Sequence, residues 1–332
     1  MNLPHRIYLL SRLGEYILSG EPGWQEAVEK AGHENGWFIP EFVDKAAKNI
    51  ALSFLQKDRL EAWTKDQRVP EKRHQPRTIG IIMAGNIPLV GFHDWLSVFI
   101  CGHKALVKPS SRDQVLIRHL LEKMAEWDEQ AGECTGFAEM LKGCDAYIAT
   151  GSNNSSRYFE YYFGRYPHII RKNRTSVAIL SGNETRQELE GLADDVYLYF
   201  GLGCRNITKI YVPGGYDFIP LLEAFRKYNY LADHHKYKNN YDYNLALHLL
   251  NKQFYMTNGS LLLVESPALF SPISQLNYEY YYESDKLTGS LQSSEELQSI
   301  TGKGFLPFGQ SQYPGISDYA DGINTLAFLN QL

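Results

Sequence analysis

Cysteine is scarce in this chain: Cys101, Cys134, Cys144 and Cys204 are the only four among 332 residues. None pairs as CxxC and none stands at zinc-like spacing from the ten histidines, so a disulfide scaffold and a zinc site are both disfavoured. A strong excess of positive charge is missing too. A formal net charge of -5 provides no basic face for nucleic acid or for an anionic membrane surface. The first residues, up to Leu18, lack a long apolar core because Arg12 interrupts them. No secretion signal is therefore read, and a cytoplasmic protein with reduced thiols is expected. Ile79–Gly102 is long enough to span a bilayer, but Asn86, Pro88, His93 and Asp94 break it. A buried strand and helix explain its apolarity better. The dinucleotide fingerprint GxGxxG is absent, as are internal repeats and low-complexity linkers.

What is present reads as α/β. The length favours two domains. Ile7, Leu10, Leu13 and Ile17, then Phe42, Ala46, Ile50 and Phe54, recur at helical spacing, so residues 5–66 are expected to form a helical layer over a sheet. After a basic connector, Ile79–Met83 and Lys104–Val107 read as buried parallel strands around a helix, with Pro88 suiting its first turn. Asp113 or Ser111 can cap the helix that follows, Gln114 to Glu126. Ala146–Ala149 is a third strand, leading through Thr150-Gly151-Ser152 into a helix over 156–163. Ile169-Ile170 and Val177–Leu180 are two strand-like pieces split by a cationic turn, Arg171 to Arg174. The helix Glu184–Phe200 turns Leu189, Leu192, Val196 and Phe200 inward; strands follow at Ile207–Val212 and Leu261–Val264, and a loop, a helix and an apolar strand close the chain.

Three places carry chemistry. Lys108-Pro109-Ser110-Ser111-Arg112 is a positive, hydroxyl-rich strand-to-helix turn, a seat for ribose or phosphate. At Gly151-Ser152 a small-residue turn opens a helix whose free N–H groups can face a pyrophosphate. Cys204 stands between a glycine-rich helix end and a strand, where backbone can approach a substrate closely, and neighbouring Arg205 would favour its thiolate. Cys101, Cys134 and Cys144 read as inert small residues. Adjacent His234 and His235 would point to different helix faces, and no carboxylates complete a metal site, so a polar, Tyr-rich helix or lid is expected there. Tyr278–Tyr282 reads as strand near an edge or an interface between copies, or as the wall of an acyl pocket.

The order of Gly85-Asn86-Ile87-Pro88-Leu89, Val107-Lys108-Pro109-Ser110, Thr150-Gly151-Ser152, Gly203-Cys204 and Pro307-Phe308-Gly309 resembles the aldehyde dehydrogenase superfamily. Within it, the chain is most similar to the acyl-CoA reductase branch that includes the fatty acyl reductases of bacterial luminescence. The resemblance implies a Rossmann-variant cofactor domain, over 1–174, and a second α/β catalytic domain, over 175–332. It implies Cys204 as nucleophile and an oxyanion hole made by the Asn86 amide and the Cys204 backbone N–H. It further implies Lys108 at the adenosine ribose, Ser110 beside it on the cofactor-binding turn, and Gly151-Ser152 against the dinucleotide phosphates.

Three departures from the family pattern shape the expected activity. No carboxylate stands in His168–Asn173, where aldehyde-oxidising relatives carry a base that activates water, so acyl transfer to or from a thiol is favoured over hydrolysis. Ser111 and Arg112 replace the Glu that holds the ribose diol in NAD-specific members, which favours NADPH while leaving NADH open. Pro267-Ala268-Leu269 occupies the place of the carboxylate expected on the nicotinamide ribose. The connector at 67–77 is short for the family's oligomerisation hairpin. The expectation is an NADPH-dependent reductase of a small-molecule acyl-CoA, with an acyl-phosphate reductase or a non-catalytic nucleotide-binding relative as the alternatives.

Overall fold

The computed structural model describes residues 1–332. They form two compact units: Met1–Asn173 together with Pro314–Leu332, and Arg174–Tyr313. Two consecutive stretches meeting at 174/175 were expected. Instead the chain crosses between Asn173 and Arg174 and returns, so residues 314–332 complete the first unit.

The first unit begins with the helical layer that the periodicity requires. Helices Leu3–Ser19, Pro22–Glu34, Pro40–Asn49 and Lys57–Asp66 follow one another, with one π turn at Ile50–Phe54. Three of them open on proline, whose fixed φ and missing N–H suit a first turn. Leu10, Leu13, Phe42 and Leu60 on their inner faces are completely buried. Beneath them lie five parallel strands: β1 (Thr78–Ile82), β2 (Lys104–Lys108), β3 (Thr135–Phe137), β4 (Ala146–Thr150) and β5 (His168–Arg171). Both faces are covered, so Ile79, Ile81, Val107, Ala146 and Ile148 are all buried.

The strand order is β3-β2-β1-β4-β5. The chain therefore runs outward from β1 on one side and restarts on the other at β4. Such a reversal leaves a crevice outside the carboxyl ends of the two central strands. The apolar stretch after β1 is resolved as a short turn and the buried helix Phe92–Ile100. No helix of the protein is long and apolar enough to cross a membrane.

Two local expectations fail in this unit. Arg171 is not in an exposed cationic turn: it ends β5, is buried, and donates to Asp94 at 2.5 Å and to Thr325 Oγ1 at 2.9 Å. The closing apolar segment is no strand but a helix, Thr325–Asn330, that buries Leu326 and Leu329.

The second unit is built on β6 (Thr175–Ile179), β7 (Ile207–Pro213), β8 (Met256–Thr257), β9 (Leu262–Glu265), β10 (Gln275–Tyr281) and β11 (Leu297–Gly302). Their order is β11-β6-β7-β10-β9-β8, and only the short β8 runs antiparallel to its neighbour. The tyrosines of β10 thus lie on an interior strand, not at an edge. Tyr278 packs on Phe218 at 4.7 Å between ring centroids, and Tyr281 donates to the Leu180 carbonyl, while Tyr282 beyond the strand is exposed. In the tyrosine-rich segment before β8, His234 accepts from the Tyr237 amide as cap of the helix His235–Leu250, which buries Tyr237 and Tyr241 and exposes Tyr243.

Candidate active site

Because β2, β1 and β4 are parallel neighbours, the turns that leave their carboxyl ends share one edge of the first sheet. Asn86 follows β1, Lys108 to Arg112 ends and follows β2, and Gly151-Ser152 follows β4. The fold therefore gathers every residue expected on the cofactor side, together with Asn86, at the topological switch point. A Cβ on Gly151 would lie 2.8 Å from the Phe159 ring and 2.9 Å from Ser155 Cβ, so glycine lets the following helix pack closely on this turn. Ser152 Oγ accepts from the Ser155 amide and caps the helix Asn153–Phe163, longer at its start than expected; its first N–H groups and positive dipole end face outward from the strand. After β2, Ser110 Oγ accepts from the Arg112 amide, and Asn35 from the helical layer donates to the Arg112 carbonyl. Ser111 and Arg112 are exposed, while Lys108 and Ser110 are half-buried.

The turn after β1 departs most from expectation. Pro88 does not begin a helix, since the helix starts only at Phe92. Between them Leu89 adopts φ +57°, a left-handed backbone that is costly for a branched side chain. Its N–H donates to Asp113 Oδ2 at 2.6 Å. Asp113 consequently does not cap the next helix, Val115–Trp127, whose N-cap is Gln114 without a side-chain bond. Asp113 is buried, its Oδ1 has no partner, and burial pushes its pKa up to about 7 against the opposing pull of the Leu89 N–H.

Cys204 belongs to the second unit. The helix Arg186–Tyr197, opened by a Thr185–Glu188 capping box, ends in three left-handed residues, Tyr199, Phe200 and Gly201. A four-residue turn, Gly203–Asn206, then leads into β7, closed by Asn206 N donating to the Gly203 carbonyl at 3.1 Å. Cys204 is half-buried at its second position. The fully buried Asn206 holds this corner. Its Oδ1 accepts from Gly203 N at 2.8 Å, and its Nδ2 serves the Asp195, Val196 and Leu198 carbonyls left open at the helix end. Ser176 of β6 donates to the Cys204 carbonyl at 3.0 Å. Burial raises the thiols of Cys101, Cys134 and Cys144, Cys101 to about 12.

Two supports were not foreseen from sequence, Asn206 and Asp195. Asp195 is fully buried and accepts from the Gly309 and Ser311 amides and the Ser311 hydroxyl, which fastens the Pro307-Phe308-Gly309 segment to the helix that delivers Cys204. Gly309 and Gly191 touch backbone to backbone, so a Cβ on Gly191 would meet the Phe308 carbonyl at 2.9 Å. The signal available was a carboxylate three residues after inward-facing Leu192 and next to Val196. The segment Pro267–Phe270 is equally fixed: Lys209, Asn277 and Thr208 donate to its four carbonyls, and Lys209 also pairs with Glu279.

Solved structures of low sequence identity share this fold. An NAD-dependent aldehyde dehydrogenase from Sinorhizobium meliloti matches with a TM-score of 0.68 at 13% identity, over 91% of this chain and 70% of its own. An aldehyde dehydrogenase from Mycobacterium tuberculosis complexed with NAD+ gives 0.68 at 12% identity, over 91% and 73%. An NADP-dependent enzyme from E. coli gives 0.67 at 12%, over 91% and 73%. No curated protein matches the chain in sequence. The acyl-CoA reductase (LuxC) family profile matches residues 47–219, a little over half of the chain and a span that includes Asn86, Lys108, Gly151 and Cys204. The chain belongs to the LuxC family of acyl-CoA reductases and is an oxidoreductase acting at the acyl and aldehyde level.

Proposed function

We propose that the protein reduces an acyl-CoA thioester to an aldehyde with NADPH, through an acyl group carried on Cys204. The observation that carries this reading is the Cys204 corner: a half-buried thiol on a turn whose backbone is held by Asn206 and Ser176, in a family of acyl-CoA reductases. The Cys204 thiolate attacks the thioester carbonyl, the carbon–sulfur bond to CoA breaks, and the CoA thiolate leaves with a proton. The Asn86 amide donates to the oxygen that gains charge as the carbonyl becomes tetrahedral.

NADPH is supported by the turns at the first sheet's edge. Capped-helix N–H groups behind Ser152, and exposed Ser111 and Arg112 in place of a carboxylate, fit a dinucleotide with a 2′-phosphate. Lys108 and Ser110 would hold the adenosine ribose. When bound, the cofactor supplies the hydride that reduces the acyl carbon. Collapse of the resulting thiohemiacetal returns the Cys204 thiolate. One acyl-CoA, one NADPH and one proton thus give aldehyde, free CoA thiol and NADP+.

The test is intact-mass spectrometry after mixing with acyl-CoA, alongside NADPH oxidation over a ladder of chain lengths and with an acyl phosphate. The wild-type protein is expected to gain one acyl mass and release CoA thiol; Cys204→Ala is expected to gain none and to consume no NADPH. A Cys204→Ala protein that still acylates and turns over would rule the scheme out, and turnover with the acyl phosphate alone would move the substrate class.

A further inference from the structure

We propose that Asp113 is a positioning residue for the oxyanion donor: its carboxylate fixes the turn Gly85–Leu89 and thereby sets where Asn86 presents its amide. The inference rests on the reading of Asn86 given above and adds the group that acts through it.

Asp113 meets that turn at both ends. At the far end its Oδ2 accepts from Leu89 N–H at 2.6 Å. At the near end the Gly85 backbone packs onto it so tightly that an added Cβ would stand 3.2 Å from Asp113 Cβ and 2.5 Å from Ser110 Oγ. Asn86 lies between these two fixed points. Leu89 explains why the clamp is needed. A non-glycine residue at φ +57° loses roughly 1–2 kcal/mol relative to its ordinary backbone states, so it persists only where surrounding contacts demand it. A buried carboxylate accepting its N–H at short range is such a contact. Relaxation of Leu89 toward negative φ would rotate the peptide planes behind Asn86.

The carboxylate is also placed where stability alone would not put one. It is buried, no cation pairs with it, and its second oxygen has no hydrogen-bond partner. A buried, half-satisfied carboxylate costs free energy. Such unsatisfied polar atoms in native proteins concentrate where function has required them.

The experiment is a double-mutant cycle on the full chain, reading acyl-CoA-dependent NADPH oxidation and, in single turnover, acylation of Cys204. Asn86→Ala is expected to lower kcat on the order of 100-fold, as loss of one oxyanion donor does. Asp113→Ala is expected to lower kcat about tenfold while the KM for NADPH changes less than about twofold, because the variant keeps the backbone N–H that Asp113 donates to the Ser110 carbonyl. Asp113→Asn keeps an acceptor oxygen for the Leu89 amide and is expected to stay within about threefold of wild type. In the Asn86→Ala background, Asp113→Ala is expected to cost less than about twofold more, since its effect passes through Asn86. An equal penalty with and without Asn86, or a failure of Asp113→Asn to rescue, overturns the inference while leaving the oxyanion assignment standing. Wild-type activity of Asn86→Ala overturns both. Thermal melting checks each variant; if Asp113→Ala does not fold, Asp113→Ser, whose hydroxyl stops short of the Leu89 amide, enters the cycle under the same criteria.

Discussion

Single side chains decide the geometry of both halves of the proposed centre, and they are polar groups inside apolar surroundings. Asn206 makes four hydrogen bonds from one amide, and Asp195 accepts three. The two buried carboxylates also set a pH dependence. Burial raises Asp113 to about 7 and Asp195 to about 6, both well above the ordinary aspartate value. The folded protein therefore holds protons that the unfolded chain has released. Stability from these groups is greatest on the acid side, below the unfolded pKa, and is lost as pH rises through about 6 to 7. Asp113→Asn removes one of the two titrations. Its stability in urea, relative to wild type, is expected to improve between about pH 5 and about pH 8. A difference that stays constant over that range would show that Asp113 is not protonated in the folded state. None of this was legible in the sequence. Asp113 looked like a helix cap because it immediately precedes a helix, whereas its partner Leu89 lies 24 positions earlier in a left-handed turn that propensity does not reveal. Asp195 acts across 114 positions to Gly309.

At the scale of elements, legibility followed the strength of the period. The helical layer and the strands β1, β2, β4 and β7 were readable because apolar residues recur at fixed intervals or form short buried runs. The three-residue β3 and the two-residue β8 have too little sequence to show a period. The closing Thr325–Asn330 read as strand because six mostly apolar residues fit either period, and only packing decides. Arg171 illustrates the same limit. Next to Lys172 and Arg174 it suggested a charged turn, yet its side chain turns inward to Asp94, both almost fully buried. Arg171→Ala would leave Asp94 without its cation and is expected to cost about 3–5 kcal/mol in chemical denaturation. The apolar pair Arg171→Met with Asp94→Leu is expected to recover most of that loss, because the charge left behind, not the lost volume, dominates. A double variant as unstable as Arg171→Ala would instead assign the cost to packing and to the lost Thr325 contact.

For the whole molecule, the return of residues 314–332 to the first unit has the widest reach. The closing helix buries Leu326 and Leu329, and the Leu329 carbonyl hydrogen-bonds the buried His103 ring at 3.0 Å. Asn330 accepts from Arg73 and donates to the Gln67 carbonyl. A chain ending at Tyr313 would expose these apolar surfaces and leave His103 and Arg73 without those partners. Burial of each leucine is worth about 1.5–3 kcal/mol, so such a truncation is expected to melt the first unit selectively. Hydrogen exchange should show that loss of protection in β1 and β2; unchanged protection there would show that the first unit closes without its last segment.

That arrangement also has a bearing on synthesis. The first 173 residues emerge from the ribosome well before the segment that completes their core. At roughly 5–20 residues per second, they wait on the order of ten seconds or more while the whole second unit is made. During that interval the surface awaiting the closing helix stays open. The nascent first unit then exposes apolar surface that the finished chain buries under Leu326 and Leu329.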